Sequence, residues 1–226
     1  MAAMSRARSR ATVGWRGRIR SRLGTDRSET GAVLVEAAFV FPVFMLLLFG
    51  MIEFGFIFKD SLTLSTMVQT GARTGAVIGN GSSPSADYEI LSTMAAESKA
   101  LNAQVQSVVI FDANSAVAGV PLSAVPAQCL SASVNALCNY YSASDWQAIV
   151  TGAETGQHFA GACSSSCWDA LWPPSSRQVA ESSNGGTGPD FLGIYITAHH
   201  TKITGFFGSV DLHETDIIRL EPQSFG

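Results

Sequence analysis

Three histidines near the C-terminal end, His199, His200 and His213, stand close in sequence to Asp211, Glu214 and Asp216. A carboxylate that holds one imidazole nitrogen leaves the other free to take a proton or bind a metal, so the cluster invites an acid–base or metal reading. Strand alternation works against it. In FLGIYITAHHTKI, residues 191–203, Ile194, Ile196 and Ala198 alternate with Tyr195, Thr197 and His199. His199 and His200 must then point to opposite faces of an extended strand. Asp211 and His213 share a face of the following segment, and the spacing leaves open whether His200 joins them across a hairpin. We read these groups as polar positions on a half-exposed sheet. The chain has no Gly-rich phosphate loop, nucleophile elbow or paired metal motif. No catalytic residue, metal or cofactor is therefore assigned, and the chain is read as a non-enzyme.

Cys129, Cys138, Cys163 and Cys167 are the second set with chemistry of their own. Four cysteines allow about three pairings. Neighbour pairing, Cys129 with Cys138 and Cys163 with Cys167, closes two short loops and is the arrangement we favour. A zinc site competes, but no histidine follows Cys163 and Cys167 at finger-like spacing. Trp168, Trp172, Pro173 and Pro174 lie just beyond and read either as a contact patch or as aromatic packing on a disulfide.

Glu36 is the third candidate, because of where it sits. Residues 31–58, GAVLVEAAFVFPVFMLLLFGMIEFGFIF, hold no charge from Ala37 to Ile52, and only Glu36 and Glu53 over the whole stretch. The run is long enough for a hydrocarbon core about 30 Å thick at about 1.5 Å per residue, and it has no polar stripe at helical period. It reads as one transmembrane helix. An ionised acid inside a bilayer costs about 2.5–3.5 kcal/mol on insertion scales, so a functional role is the default reading of Glu36. Pro42 lacks an N–H and crowds the preceding turn, which predicts a kink between Ala38 and Pro42.

The charge distribution orients that helix. Eight arginines precede residue 31, set against Asp26 and Glu29, which leaves the leader at +6; residues 32–226 carry six basic and sixteen acidic groups, or −10. The basic side stays cytoplasmic, so the larger portion should lie outside, where disulfides persist. An arginine-rich tail before an apolar span is an orientation signal and a contact for anionic lipid heads, and no nucleic-acid partner is assigned.

The remaining elements follow in order. Residues 1–31 are a leader on which no fold is built; residues 32–79 are the membrane helix with an outward extension, and 80–226 an extracytoplasmic α+β domain with an antiparallel sheet. Lys59 and Asp60 read as the outer interface. Leu64, Val68 and Ala72 continue a helical stripe beyond it. Gly71, Gly75 and Gly79 recur every four residues and mark either a close approach or a fraying helix end. NGSSPSAD, residues 80–87, is a break. A surface helix is predicted over Tyr88–Leu101 and a strand over Val105–Phe111. Residues 121–189 read as a long loop trimmed by disulfides, with one short helix over 142–152 and Ser144 as its N-cap. The 191–203 and 209–222 segments read as closing strands, with ITGFFG, residues 203–208, as the hairpin between them.

Gly31 followed by AVLVE, then Phe41-Pro42, a Leu-rich core, IEFG at Ile52–Gly55 and GARTGA at 71–76 closely resembles the TadE-like family of the tight-adherence (Flp) pilus assembly system, the pseudopilins. The tail from LGIYITAHHTKITGFFG to IIRLEP is similar to that of longer, actinobacterial-type members. The resemblance implies a cell-membrane, single-pass subunit whose partners are a prepilin-type peptidase and other pilus assembly subunits. It further implies that Gly31 is the last leader residue, Ala32 the new N-terminus, and Glu36 the acid used in processing or in neutralising the new amine. The rival readings are an unprocessed single-pass anchor with a structural or adhesive role, and a membrane-tethered enzyme using the final hairpin.

The topology is directly testable. A reporter fused after Gly226 should be active only outside the cytoplasm, and cytoplasmic activity would overturn both the orientation and the oxidising environment assumed for the cysteines.

Overall fold

In the computed structural model the described residues are 27–81, 85–180, 188–201 and 208–221, with side chains described from residue 31 onward. Most of the leader, the 202–207 part of the ITGFFG hairpin with its preceding lysine, and the centre of the 80–87 break lie outside them. The chain forms two compact units, Met1–Leu47 and Leu48–Gly226.

The first unit contains the beginning of α1, a helix that runs over Arg27–Ile78 and continues through Pro42. Its apolar side chains, including Leu34, Phe39, Val40 and Phe44, are exposed. No polar face offsets them, so this part of the helix has no protein core to enter.

The second unit is α+β. Its elements are the C-terminal part of α1, α2 (Ala86–Glu97), β1 (Gln104–Asp112), β2 (Cys138–Ser142), α3 (Ala143–Val150), β3 (Phe191–His200) and β4 (Val210–Arg219). All strand pairs are antiparallel, in the order β2-β1-β3-β4. One face of α1, carrying Leu64, Met67, Val68 and Ala72, packs with Ile90, Leu91 and Met94 of α2 and with Val108, Ile110, Ile194 and Ile196 of the sheet. The sheet's other face buries Val109 and Phe111 with Cys129 and Cys138, beneath the segment that links β1 to β2. Both neighbour disulfides, Cys129–Cys138 and Cys163–Cys167, are formed.

The glycine spacing in α1 has two explanations. A Cβ at Gly71 would stand 2.7 Å from Cγ of Met94, and one at Gly75 would stand 2.6 Å from Cδ2 of Leu192 and 2.9 Å from Cδ1 of Ile90. These two are contact positions, where side chains of α2 and β3 press onto the helix backbone. Gly79 ends the helix instead, at φ +60°, a conformation that costs glycine little.

Three expectations need correction. The 121–189 stretch contains a fourth strand, β2, which aligns Phe111 with Cys138 and Ser107 with Ser142. Five residues reading CNYYS carry too little alternation to announce a strand. The cap of α3 is Ser142 and not Ser144: Ser142 accepts from the Asp145 N–H while the Asp145 carboxylate accepts from the Ser142 N–H, a capping box. The helix over Tyr88–Leu101 starts at Ala86 and gives way to a 3-10 turn at Ser98–Ala100, and it buries Ile90, Leu91 and Met94.

Phe111 and Gly193 face each other across β1 and β3, and a Cβ at Gly193 would clash with the edge of the buried Phe111 ring. We expect Gly193→Ala to cost about 1–3 kcal/mol through overpacking, read as a fall of several degrees in Tm of the detergent-solubilised protein. Gly55→Ala, where a Cβ meets nothing within 4 Å, should leave Tm unchanged or slightly raised.

Candidate functional site

The residues that sequence reasoning singled out separate into three places. Gly31, Ala32 and Glu36 lie on the exposed first turns of the described part of α1. A Cβ on Gly31 would meet nothing within 4 Å, so the chain itself gives no packing reason for glycine there. The apolar window of this helix has a mean hydropathy of 2.5 and no buried residue, which makes Gly31–Ile78 long and apolar enough to cross a membrane.

The second place is the end of the sheet. His199 and Asp211 are cross-strand partners on the outer face, with Nδ1 of His199 2.6 Å from the exposed Asp211 carboxylate. His213 is on the same face, its ring 6.2 Å from that of Tyr195. These are the sheet-surface positions expected.

His200 is not. It points inward, 1% exposed, and its Nδ1–H donates to Oδ2 of Asp60 at 2.7 Å. The Asp60 carboxylate also accepts from the Asn102 N–H at 3.0 Å. Nε2 of His200 is 3.7 Å from Oε1 of Glu53, which is itself buried. Alternation gave the direction of His200 correctly, but it cannot say which face is covered at that end. Here α1 covers it. Asp60 must therefore be removed from the charges that mark an outer interface, since it is fully buried within the domain. Among the described residues, no group of three or more His, Cys, Asp or Glu side chains could hold a metal ion.

A third polar centre was invisible in the sequence. Asp87, fully buried on α2, accepts from the hydroxyl of Tyr141 at 2.7 Å, from Nδ2 of Asn139 at 2.8 Å and from the Arg177 guanidinium. Arg177 also lies over the Trp172 ring, 4.2 Å from its centroid. Burial, followed by the Asp87 charge, raises the Tyr141 hydroxyl pKa well above its ordinary value, so Tyr141 is held as a donor. Nearby, Ser85 donates to Asp169 at 2.6 Å, and burial pushes the Asp169 pKa up. Glu154 behaves oppositely. Burial would raise its pKa, but hydrogen bonds from the His158 ring, the His158 N–H and the Gly156 N–H outweigh it and hold the carboxyl below its usual range. The His158 ring stacks on Trp168 next to the Cys163–Cys167 bridge. Trp168 and Trp172 are thus packing residues of this network, which organises the segment after α3. The partners of Asp87 lie 52, 54 and 90 residues from it, so no local spacing could have revealed that centre.

Part of α1 is similar to a known family. Residues 31–73 match the family model for TadE-like protein. The matched segment covers Gly31, Ala32, Glu36 and Pro42 and ends inside α1, so it does not reach the 191–222 tail. It associates the chain with tight-adherence pili and with the membrane. No curated protein and no solved structure matches the chain.

The buried pair separates structure from surface chemistry. We expect His200→Gln and Asp60→Asn each to destabilise the domain by about 3–5 kcal/mol, because either leaves the partner buried without its charge-assisted bond. Thermal unfolding should show His199→Gln and His213→Gln near wild type. A His200→Gln variant as stable as these two would show that the buried pair contributes nothing.

Proposed function

We propose that the protein is a pseudopilin-like subunit of a tight-adherence pilus assembly or related secretion system, anchored in the cell membrane by α1 and acting by protein contact. The match of residues 31–73 to the TadE-like family carries this reading. In it, the arginine-rich N-terminus is cytoplasmic and the α+β domain is outside. A prepilin-type peptidase cuts after Gly31 and creates an ammonium group at Ala32, one helical turn from Glu36. A new positive charge at the edge of a low-dielectric layer is better accommodated beside a carboxylate than alone, and Glu36 supplies one. Two observations support the assignment of roles. Both Gly31 and Glu36 are exposed and belong to no core, so the fold gives no competing reason for either residue. The two other acids of α1 beyond Glu36, Glu53 and Asp60, are buried beside His200. Glu36 is thus the exposed acid of the apolar stretch.

Intact-mass measurement of protein from its native host tests this. Wild type should begin at Ala32. Gly31→Val should retain the leader and stay out of assemblies while still inserting, since the peptidase then meets a branched side chain on the leader side of the bond. Glu36→Gln should insert and be cut, normally or slowly, yet assemble poorly. A wild-type N-terminus upstream of Gly31 in all molecules would exclude processing and leave a permanent single-pass anchor.

A further inference from the structure

The two disulfides sit in opposite surroundings. Cys129 and Cys138 are fully buried and pack with Val109, Phe111 and Ala113, and Cys138 is itself part of β2. Exchange requires an incoming thiolate to reach a disulfide sulfur directly, so this bridge stays shut unless the core opens. Cys163 and Cys167 are half-buried, belong to no helix or strand, and enclose Ser164, Ser165 and Ser166, all three exposed. Neither is a member of the two buried clusters.

The residues on either side of the second bridge hold each other without it. The Ala160 N–H donates to the buried Asp169 carboxylate at 2.9 Å, and the Trp168 N–H donates to the His158 carbonyl at 2.8 Å. The Trp168 ring also lies 5.4 Å from that of the fully buried Phe159. Opening the bridge therefore frees residues 161–167 and leaves these contacts, and the core beneath them, in place. Two features make this the easier bridge to open. Its cysteines are four residues apart, against nine for the other, so it restrains the unfolded chain less. The loop it closes also holds Ser166 at φ +56°, a left-handed conformation unfavourable for serine that relaxes when the loop opens.

We infer that Cys163–Cys167 is a thiol–disulfide exchange site for a dithiol reductant, opened and closed on the folded domain while Cys129–Cys138 remains a structural bond. One thiolate of the dithiol attacks a sulfur of the bridge, forms a mixed disulfide and expels the other cysteine's sulfur as a thiolate, which takes up a proton. The second thiol of the reductant loses its proton, displaces the cysteine still held, and that sulfur is protonated in turn. Two electrons pass to the protein: the dithiol leaves as a disulfide, and Cys163 and Cys167 end as thiols. The reverse sequence closes the loop again. The exchange asks nothing of cleavage at Gly31 and does not rest on the pilus reading.

The test uses the full chain in detergent micelles with dithiothreitol as the probe, quenched by alkylation at intervals and read by peptide mass. Cys163 and Cys167 should be alkylated at least about tenfold sooner than Cys129 and Cys138, since access separates the two bridges. Circular dichroism should stay that of the folded domain while this first equivalent of dithiol is consumed, and oxidised dithiothreitol should restore the bridge. The paired variant Cys163→Ser with Cys167→Ser should fold with Cys129–Cys138 intact and consume no dithiol over the same interval. Opening of both bridges at one rate, earlier opening of Cys129–Cys138, loss of the folded signal as Cys163–Cys167 opens, failure of the bridge to re-form, or a paired variant that does not fold would each overturn the proposal.

Discussion

The domain depends on the burial of one face of α1. Leu64, Met67, Val68 and Ala72 form the layer on which α2 and the sheet's inner face close, and Gly71 and Gly75 let Met94, Ile90 and Leu192 reach the helix backbone. Without that face, Val108, Ile110, Ile194 and Ile196 would line one side of an open four-stranded sheet. Such a sheet needs a packed layer for independent stability. The C-terminal part of α1 is therefore a core element of the domain as well as the continuation of an apolar anchor.

That arrangement explains why some features could be read from the sequence and others could not. Long periodic signals survived: the apolar run of α1, the alternation of β3 and the β-branched run of β1 all appear as elements close to the expected boundaries. The neighbour disulfides follow from the same local economy. β2 was missed because five residues with two tyrosines and an asparagine hold no period, and they become a strand only by pairing with β1. His200 illustrates a subtler limit. Its direction follows from alternation with His199, but its burial depends on a helix 140 residues earlier, which presents Asp60 at the right height.

The polar interior has the same origin. Asp87 and Arg177 are separated by ninety residues, and neither lies in a motif. Their joint burial is tolerable because Tyr141 and Asn139 also donate to Asp87 and Trp172 lies under the guanidinium. Removing one member strands the others, so this network holds the irregular segment after α3 in one arrangement with little regular secondary structure. The residues proposed for processing stand out in the sequence for the opposite reason. Gly31 and Glu36 are exposed on α1, and the role proposed for them rests on the order of residues along the chain.

The inward turn of Glu53 and Asp60 has a consequence for how far the protein can sink. With both acids enclosed beside His200, the outward-facing surface of α1 carries no charge from Ala37 until Lys59, which is exposed. At about 1.5 Å per residue, that interval measures about 33 Å, the thickness of a bilayer's hydrocarbon layer with little to spare. In a spanning helix, Lys59 then acts as a depth stop. Its long side chain can reach up to the headgroups, but its ammonium resists passing below them. In such a helix the domain's hidden carboxylates lengthen the uncharged surface without adding a residue, and the exposed amine of Lys59 marks its end.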